Sequence, residues 1–513
     1  MEDRVAQRRT VGPYGILKVT ILLCAAFWLL ARGGNFLQQA SKDVNFVIIW
    51  MDALRPDHLG CYGYPRNTSP HIDSVARQGS FFTQCITAAS WTGASGVSLM
   101  TSQWPFQHGV NSIDLRVPAE YELLPEIMKK HGYATAGFAQ SPLYYPSTGI
   151  DQGFDYYDWR PPKTLPIDTS GISDEERAQA EINAFHTILY RPASKIAAWM
   201  TEHKDQRFFL WIHLFYPHAL YSPPEPYDKL FVNDAYYRTG RKLPIGDYRS
   251  GYRQIPSHQN LDNRTDIDFY ISQYDGEIGF TDYKVGLIVK KLKELGILDK
   301  TVVIIASDHG ESMGDNDFYF VHTLLYDSVI KIPLIIRLPF IVRLARALPK
   351  YGTITEQVRS IDIMPTILDI AGIPAPATAS GKSLLSLLRG TEWRDRVALS
   401  QGHSIRGSFI SETDQPGIND ICIRERLNGA LWKLIYHLDY DDPISGLRFQ
   451  MFNLIEDPGE THNLIIKYPR IFGKLYAELC SYLQLYKTPA VQAGLSSIDP
   501  AARELLRSLG YLQ

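Results

Sequence analysis

Two apolar runs in this chain of 513 residues stop on an acid: NFVIIWM leads to Asp52, and TVVIIAS leads to Asp308 with His309 beside it. A carboxylate at the end of a buried strand is unfavourable unless a hydrogen-bond partner, an opposite charge or a metal compensates it. For Asp52 the alternatives to a metal are an N-cap or a pairing with Arg55 in MDALRPDHLG. An adjacent Asp–His pair offers one oxygen and one imidazole to a single cation, a donor mix that Zn or Mn accepts. Between the acids lies SWTGASGVSLMTS, where small residues surround Thr92 before the pattern turns helical toward Leu99 and Met100. A hydroxyl just ahead of a helix meets unpaired N–H groups and the positive end of the dipole, which suits an anionic ester. The alternative is plain N-capping by Ser90, Thr92 or Ser95.

These residues need elements that bring them together. Strand-like runs at 45–51, 134–139, 207–213 and 301–306 alternate with helical patterns at 121–131, 176–203 and 275–295. Continuous apolar runs separated by amphipathic helices predict an α/β fold, with a parallel sheet covered on both faces. In such sheets ligands gather beyond the carboxyl ends of the strands. Asp52, Asp308 and His309 fall at such ends, and so does His213 after FFLWI. The stretch 217–265, rich in Tyr, Pro and Gly and weakly periodic, is expected to wall a pocket. From about residue 396, ALWKLIYHL and LRFQMFNL followed by the helical YPRIFGKLYAELCSYL predict a smaller α+β subdomain.

The formal net charge of −3, without a basic block, argues against a nucleic-acid partner. Arg4, Arg8 and Arg9 precede the apolar run at 16–31, which has the charge order of a signal anchor. The division expected is therefore a cytoplasmic N-terminus with a membrane segment (1–42), an extracytoplasmic catalytic domain (43–395) and a C-terminal α+β subdomain with tail (396–513). A periplasmic or extracellular catalytic domain follows from that expectation. Cys24, Cys61, Cys85, Cys422 and Cys480 have no regular spacing and do not read as a metal site.

The stretches MDALRPDHLGCYGYPRNTSPHID, WTGASGVSLMTSQWPFQHGV, FFLWIHLFYPHALYSPPEPY, YDGEIGFTDYKVG, SDHGES, FVHTLLYDSVIKIPLIIRLP and MFNLIEDPGETHNL occur in that order. Together they resemble the sulfatase family of the alkaline phosphatase superfamily, over most of the chain from residue 43. The resemblance implies an alkaline-phosphatase-like sandwich with a large, mostly parallel sheet flanked by helices. It also implies one divalent metal ion (Mn, Zn or Ca) with Asp52, Thr92, Asp308 and His309 as ligands. His322 matches a basic residue that contacts the leaving group or oxyanion. His218 matches the histidine of the family's DPHxPY segment, with Tyr216 in place of the Asp. His213 lies near enough to serve in support of the site.

At the nucleophile the chain departs from the pattern. Sulfatases carry CxPSR or SxPSR there, whose Cys or Ser becomes formylglycine, whereas this chain has Thr92, with Ala94 for the Pro and Gly96 for the Arg. Relatives with threonine at this point transfer or hydrolyse phosphoryl groups. The expected activity is cleavage or transfer of a phosphate ester through a phospho-Thr92 intermediate, on a glycan or lipid head group. The alternatives are a sulfuric ester hydrolase and a catalytically silent binding protein. Met51 stands where many members have a second acid, which favours one metal over two. Arg55 is expected in a structural ion pair, His108 as a loop support and Cys61 as a buried small side chain.

Overall fold

The computed structural model describes residues 42–111, 115–159, 192–234, 239–246, 251–348, 352–391, 394–402, 420–437, 448–485 and 494–495. The strands of the main sheet are β1 (Asn45–Met51), β2 (Ser80–Ile86), β3 (Ala134–Ala139), β4 (Tyr156–Trp159), β5 (Phe208–Leu214), β6 (Thr301–Ser307), β7 (Lys331–Arg337), β8 (Thr353–Ile354) and β9 (Val358–Arg359). They lie in the order β8-β2-β7-β6-β1-β5-β3-β4, with β9 also on β2. All pairs are parallel except the two made by β7, which runs against β6 and β2. The main helices are α1 (Thr92–Thr101), α2 (Leu124–Lys130), α3 (Pro192–Glu202), α4 (Ile267–Glu294), α5 (Ile363–Ala371) and α6 (Pro469–Leu485).

Strand alternation divides the core into two layers. Phe46, Ile48 and Trp50 of β1, Phe209 and Trp211 of β5, and Val302, Ile304 and Ala306 of β6 pack with α1, α2 and α5. Val47, Ile49 and Met51, with Phe208, Leu210, Ile212, Val303 and Ile305, pack with α3 and α4 on the opposite face. The chain thus folds as a mixed α/β sandwich whose large, mostly parallel sheet is flanked by helices. A second, antiparallel sheet follows: β10 (Ala398–Gln401), β11 (Ile421–Leu427), β12 (Ala430–Tyr436) and β13 (Phe449–Asn453), in that order. One of its faces packs on α6 through Ile421, Ile423, Leu434 and Met451. Its other face, with Cys422, Leu431, Ile435 and Phe452, closes over Phe318, Leu325, Tyr326 and Ile330 of the main unit.

Five strands of the main sheet, β2, β4, β7, β8 and β9, are not apparent from the apolar pattern. Pro333 inside β7 weakens a strand reading, because proline donates no ladder hydrogen bond. The structure accommodates it where the β7–β2 register shifts between Ile332 and Leu334. Of the helix expected over 176–203, the part before 192 lies outside the described residues.

The expectation of membrane anchorage is corrected. Among the described residues no helix is long and apolar enough to cross a membrane. The longest, α4, has 28 residues but carries Asp275, Glu277, Asp282 and four C-terminal Lys or Glu residues from Lys290 to Glu294, the make-up of a helix that buries one face in a core. The apolar run at 16–31 lies outside the described residues. The membrane partner and the extracytoplasmic placement built on it are set aside. Cys61 is half-buried rather than buried, and Cys61, Cys85, Cys422 and Cys480 are free thiols.

Candidate active site

The site is assembled by parity. In β1, Asp52 continues the even positions that face α1, and in β6 Asp308 does the same. The parallel register aligns Met51 with Ser307 on one side and with Leu214 on the other. The backbone continues that register one step, with Asp52 N donating to Leu214 O at 3.0 Å and Asp308 N to Met51 O at 3.1 Å. His213 pairs with Trp50 and shares its face. Asp52, His213 and Asp308 therefore emerge on the same side, each offering an atom within 4.8 Å of the others, and all three are buried.

Thr92 arrives from above as the first residue of α1. Its Oγ1 lies 3.4 and 3.5 Å from the two oxygens of Asp52 and 3.3 Å from His309 Nε2. His309 Nε2 is 3.5 Å from Asp52 Oδ1 and 3.7 Å from Asp308 Oδ2, and His213 Nε2 is 3.4 Å from Asp52 Oδ2. The tautomer of His309 follows from its other nitrogen. Nδ1 faces the carbonyl of Gly310 at 2.8 Å, so Nδ1 carries the hydrogen and the Nε2 lone pair is turned toward Thr92 and Asp52.

The electrostatics are those of acids and neutral rings kept from water. Burial holds the Asp52 carboxyl well above the usual carboxylate range, and Asp308 beside it pushes the same way. Asp308 is itself raised by burial. Burial pushes His213 down to about 4. It also pushes His309 down to about 3, with the neighbouring His322 adding to the effect. Asp308 Oδ2 and both ring nitrogens of His213 have no hydrogen-bond partner among the described residues.

A divalent cation fits this donor set. Two donors about 2.1 Å from one tetrahedral ion stand about 3.4 Å apart, and five of the donor separations here, 3.3 to 3.7 Å, are close to that value, while Asp52, His213 and Asp308 offer atoms within 4.8 Å of one another. Those separations are too long for good O–H···O hydrogen bonds. Two carboxylates, two imidazoles and a hydroxyl suit an ion that takes oxygen and nitrogen together.

His322 stacks on His309 with ring centres 4.4 Å apart, and His218 lies 5.1 Å from His322. His218 Nδ1 points at the carbonyl of Ala219, 3.1 Å away, and burial drives this imidazole well below its ordinary value. The residues singled out in the sequence are thus close together in space. Arg55 is tied to Asp57 and Asp315 and donates to Glu311 O at 2.9 Å, which is the ion-pair role expected of it. His108 bridges Ser98 and the N–H of Val110.

Tyr144 is the residue that sequence reasoning missed. Fully buried, it donates its hydroxyl to Thr92 O at 2.7 Å and meets the edge of His213 at 4.8 Å. It sits against Gly96, where a Cβ would stand 2.4 Å from its ring. The stretch 217–265 contributes Thr239 and Arg241 to a cavity of about 620 Å³ that Arg55, His58 and Tyr319 also line. Thr92, Asp308 and His309 are not among the residues lining that cavity.

Known proteins resemble this chain in sequence and in fold. The family described as Sulfatase matches residues 44–373, and the one described as N-sulphoglucosamine sulphohydrolase, C-terminal, matches residues 315–484. The chain is 26% identical over 380 residues to an ulvan-active sulfatase of Formosa agariphila, covering 71% of this chain and 68% of the relative. A solved structure of a protein in complex with its substrate D-glucosamine-2-N,6-O-disulfate superposes with a TM-score of 0.64 at 18% identity, over 87% of this chain and 98% of the other. The phosphonate monoester hydrolase of Agrobacterium radiobacter superposes with a TM-score of 0.65 at 20% identity, over 86% and 96%. With the family match spanning most of the two-layered unit that carries Thr92 and its surrounding acids and histidines, the chain belongs to the sulfatase family.

Proposed function

We propose that this chain is a metal-dependent hydrolase of a sulfate ester carried by a saccharide, with Thr92 as the group that meets the sulfur. The observation that supports it most is the placement of the Thr92 hydroxyl at a helix N-terminus, within 3.5 Å of a buried acid and a neutral imidazole. The sulfate and saccharide assignments come from what two similar proteins are described as acting on, one an ulvan-active sulfatase and one bound to its substrate D-glucosamine-2-N,6-O-disulfate.

Asp52, Asp308, His309 and His213 would hold the cation, with Thr92 facing it. When bound, the ion supplies positive charge that lowers the hydroxyl's pKa and offsets the charge of the ester. The chain's own groups do the rest. Asp52 accepts the Thr92 proton, and the first N–H groups of α1 face the ester's non-bridging oxygens. His322 hands a proton to the oxygen that leaves as the Thr92–sulfur bond forms, and His218 holds the sulfate beside it. Water then attacks the sulfur and the Thr92 O–S bond breaks, Asp52 returning its proton to Thr92 Oγ1 and His322 taking one from the water, so that sulfate leaves and both groups are restored.

A second reading, a phosphate or phosphonate ester attacked by the same hydroxyl, is favoured by one residue. Thr92 carries a methyl group on Cβ, so its oxidation would yield a ketone and never the formylglycine aldehyde. A phospho-threonine needs no such aldehyde.

The test is to supply the purified chain, with Mn(II), Zn(II) or Ca(II), with sulfated glucosamines and with aryl phosphates and phosphonates. Released sulfate, phosphate and phosphonate are counted by ion chromatography. Sulfate release that vanishes in Thr92→Ala is the expected result. Faster release of phosphate or phosphonate selects the second reading, and release of none of them under all three ions overturns both.

A further inference from the structure

Arg424 on β11 and Lys433 on β12 are cross-strand partners, so two cations stand side by side, and both are buried, at 1% and 0% exposure. Neighbours of like charge repel, and burying them unpaired is prohibitive. Two carboxylates answer them. Asp327 takes Lys433 Nζ at 2.9 Å and Arg424 Nη2 at 3.1 Å, while Glu460 takes Lys433 Nζ at 2.6 Å. Glu460 also accepts the backbone N–H of Asp327 at 2.6 Å. The group is neutral in sum, yet apolar side chains of similar volume would join two sheets with less desolvation. Its position suggests what the charges add.

Asp327 opens the single helical turn Asp327–Ile330. Three carbonyls of that turn face the active site: Ser328 O accepts from Glu311 N at 3.2 Å, Val329 O from Gly310 N at 2.7 Å, and Ile330 O from Thr87 N at 2.9 Å. The contact is so close that a Cβ on Gly310 would lie 2.2 Å from Ser328 O. Gly310 and Glu311 directly follow His309. The Thr87 hydroxyl donates to Asp308 O at 2.5 Å and lies 3.0 Å from Ser95 Oγ on the helix that Thr92 begins.

We propose that Asp327 is a positioning residue, clamped by Lys433 and Arg424 of the C-terminal sheet, which fixes the metal-ligand segment 308–311 and the start of α1 relative to each other. The C-terminal sheet then completes the active site without touching the ester. What is being positioned rests on the reading of the site given above.

The test compares full-length wild type, Lys433→Met and Lys433→Arg by hydrogen–deuterium exchange and by steady-state kinetics. In Lys433→Met the amides of Thr87, Gly310 and Glu311 are expected to exchange roughly tenfold faster, with those of β3 and α4 unchanged. The same variant should lose roughly tenfold in kcat with little change in KM, and Lys433→Arg should restore both quantities. If Lys433→Met does not fold, Glu460→Gln, which keeps an acceptor for Asp327 N–H, carries the comparison. Exchange and kcat equal to wild type, or a uniform acceleration over the whole chain, would overturn the proposal. Local exchange behaving as expected in a chain that hydrolyses neither sulfate nor phosphate esters would support the clamp and sink the functional reading instead.

Discussion

Thr92 differs from the serine of the family pattern by one methyl group, and that branch rules out the aldehyde route while leaving the hydroxyl in place. Thr92→Ser should therefore retain turnover, whereas Thr92→Ala should lose at least about a thousandfold in kcat. Steady-state assays on whichever ester is released check both. His213→Ala removes an imidazole with no hydrogen-bond partner among the described residues from beside Asp52 and should weaken Mn(II) or Zn(II) binding by about 10–100-fold, read by titration calorimetry. An unchanged affinity would return His213 to a supporting role. Asp52, Thr92, Asp308 and His309 were legible in the sequence because each stands where an apolar or helical pattern begins or ends. His213 was visible as a strand-end residue, but its place among the donors depends on the β1–β5 register, which one strand's composition does not encode. Tyr144, in PLYYPST, sits in a segment without periodicity, and only the contact with Gly96 reveals it.

At the scale of elements, α1 and α4 carry the sharpest expectations. Gly96→Ala would raise the helix propensity of α1 by about 1 kcal/mol but drive a methyl group into the Tyr144 ring, a clash of about 1–3 kcal/mol. The net result should be a lower melting temperature and reduced turnover as Tyr144 is displaced from Thr92 O. On α4, the Lys284 amine is buried 4.2 Å from the Phe280 ring centre, and burial pushes it down to about 7. The folded chain thus favours the neutral amine, while the unfolded chain takes up a proton near pH 10. Stability from this group is present at high pH, falls as pH drops from about 10 and is fully lost below about 7. Lys284→Met should be more stable than wild type by about 1–3 kcal/mol at pH 7, and the gain should shrink toward pH 10 in thermal melts. The strands at 45–51, 134–139 and 301–306 were legible as apolar runs. Mixed composition hid β2, and Pro333 hid β7.

For the whole molecule, the two buried acids of the site oppose each other until a cation joins them. Saturation with Mn(II) or Zn(II) at a hundred times the dissociation constant should stabilise the fold by about 2.7 kcal/mol. Melts with chelator and with metal, at fixed pH, check this; equal midpoints would mean that no ion binds the folded state in preference to the unfolded one. A smaller α+β subdomain with strand candidates at 430–438 and 447–454 was foreseen, but its grip on the catalytic unit was not, because Asp327 lies far along the chain from Arg424, Lys433 and Glu460 and each alone reads as surface charge. The shared parity of β1, β5 and β6 carries a further consequence for how such a protein can change over generations. Deleting a single codon from β1 would swing its terminal carboxylate through the sheet into the layer beneath α4, and no exchange of side chain could bring it back. Descendants of this chain can swap what those strands bury far more freely than they can lengthen or shorten them.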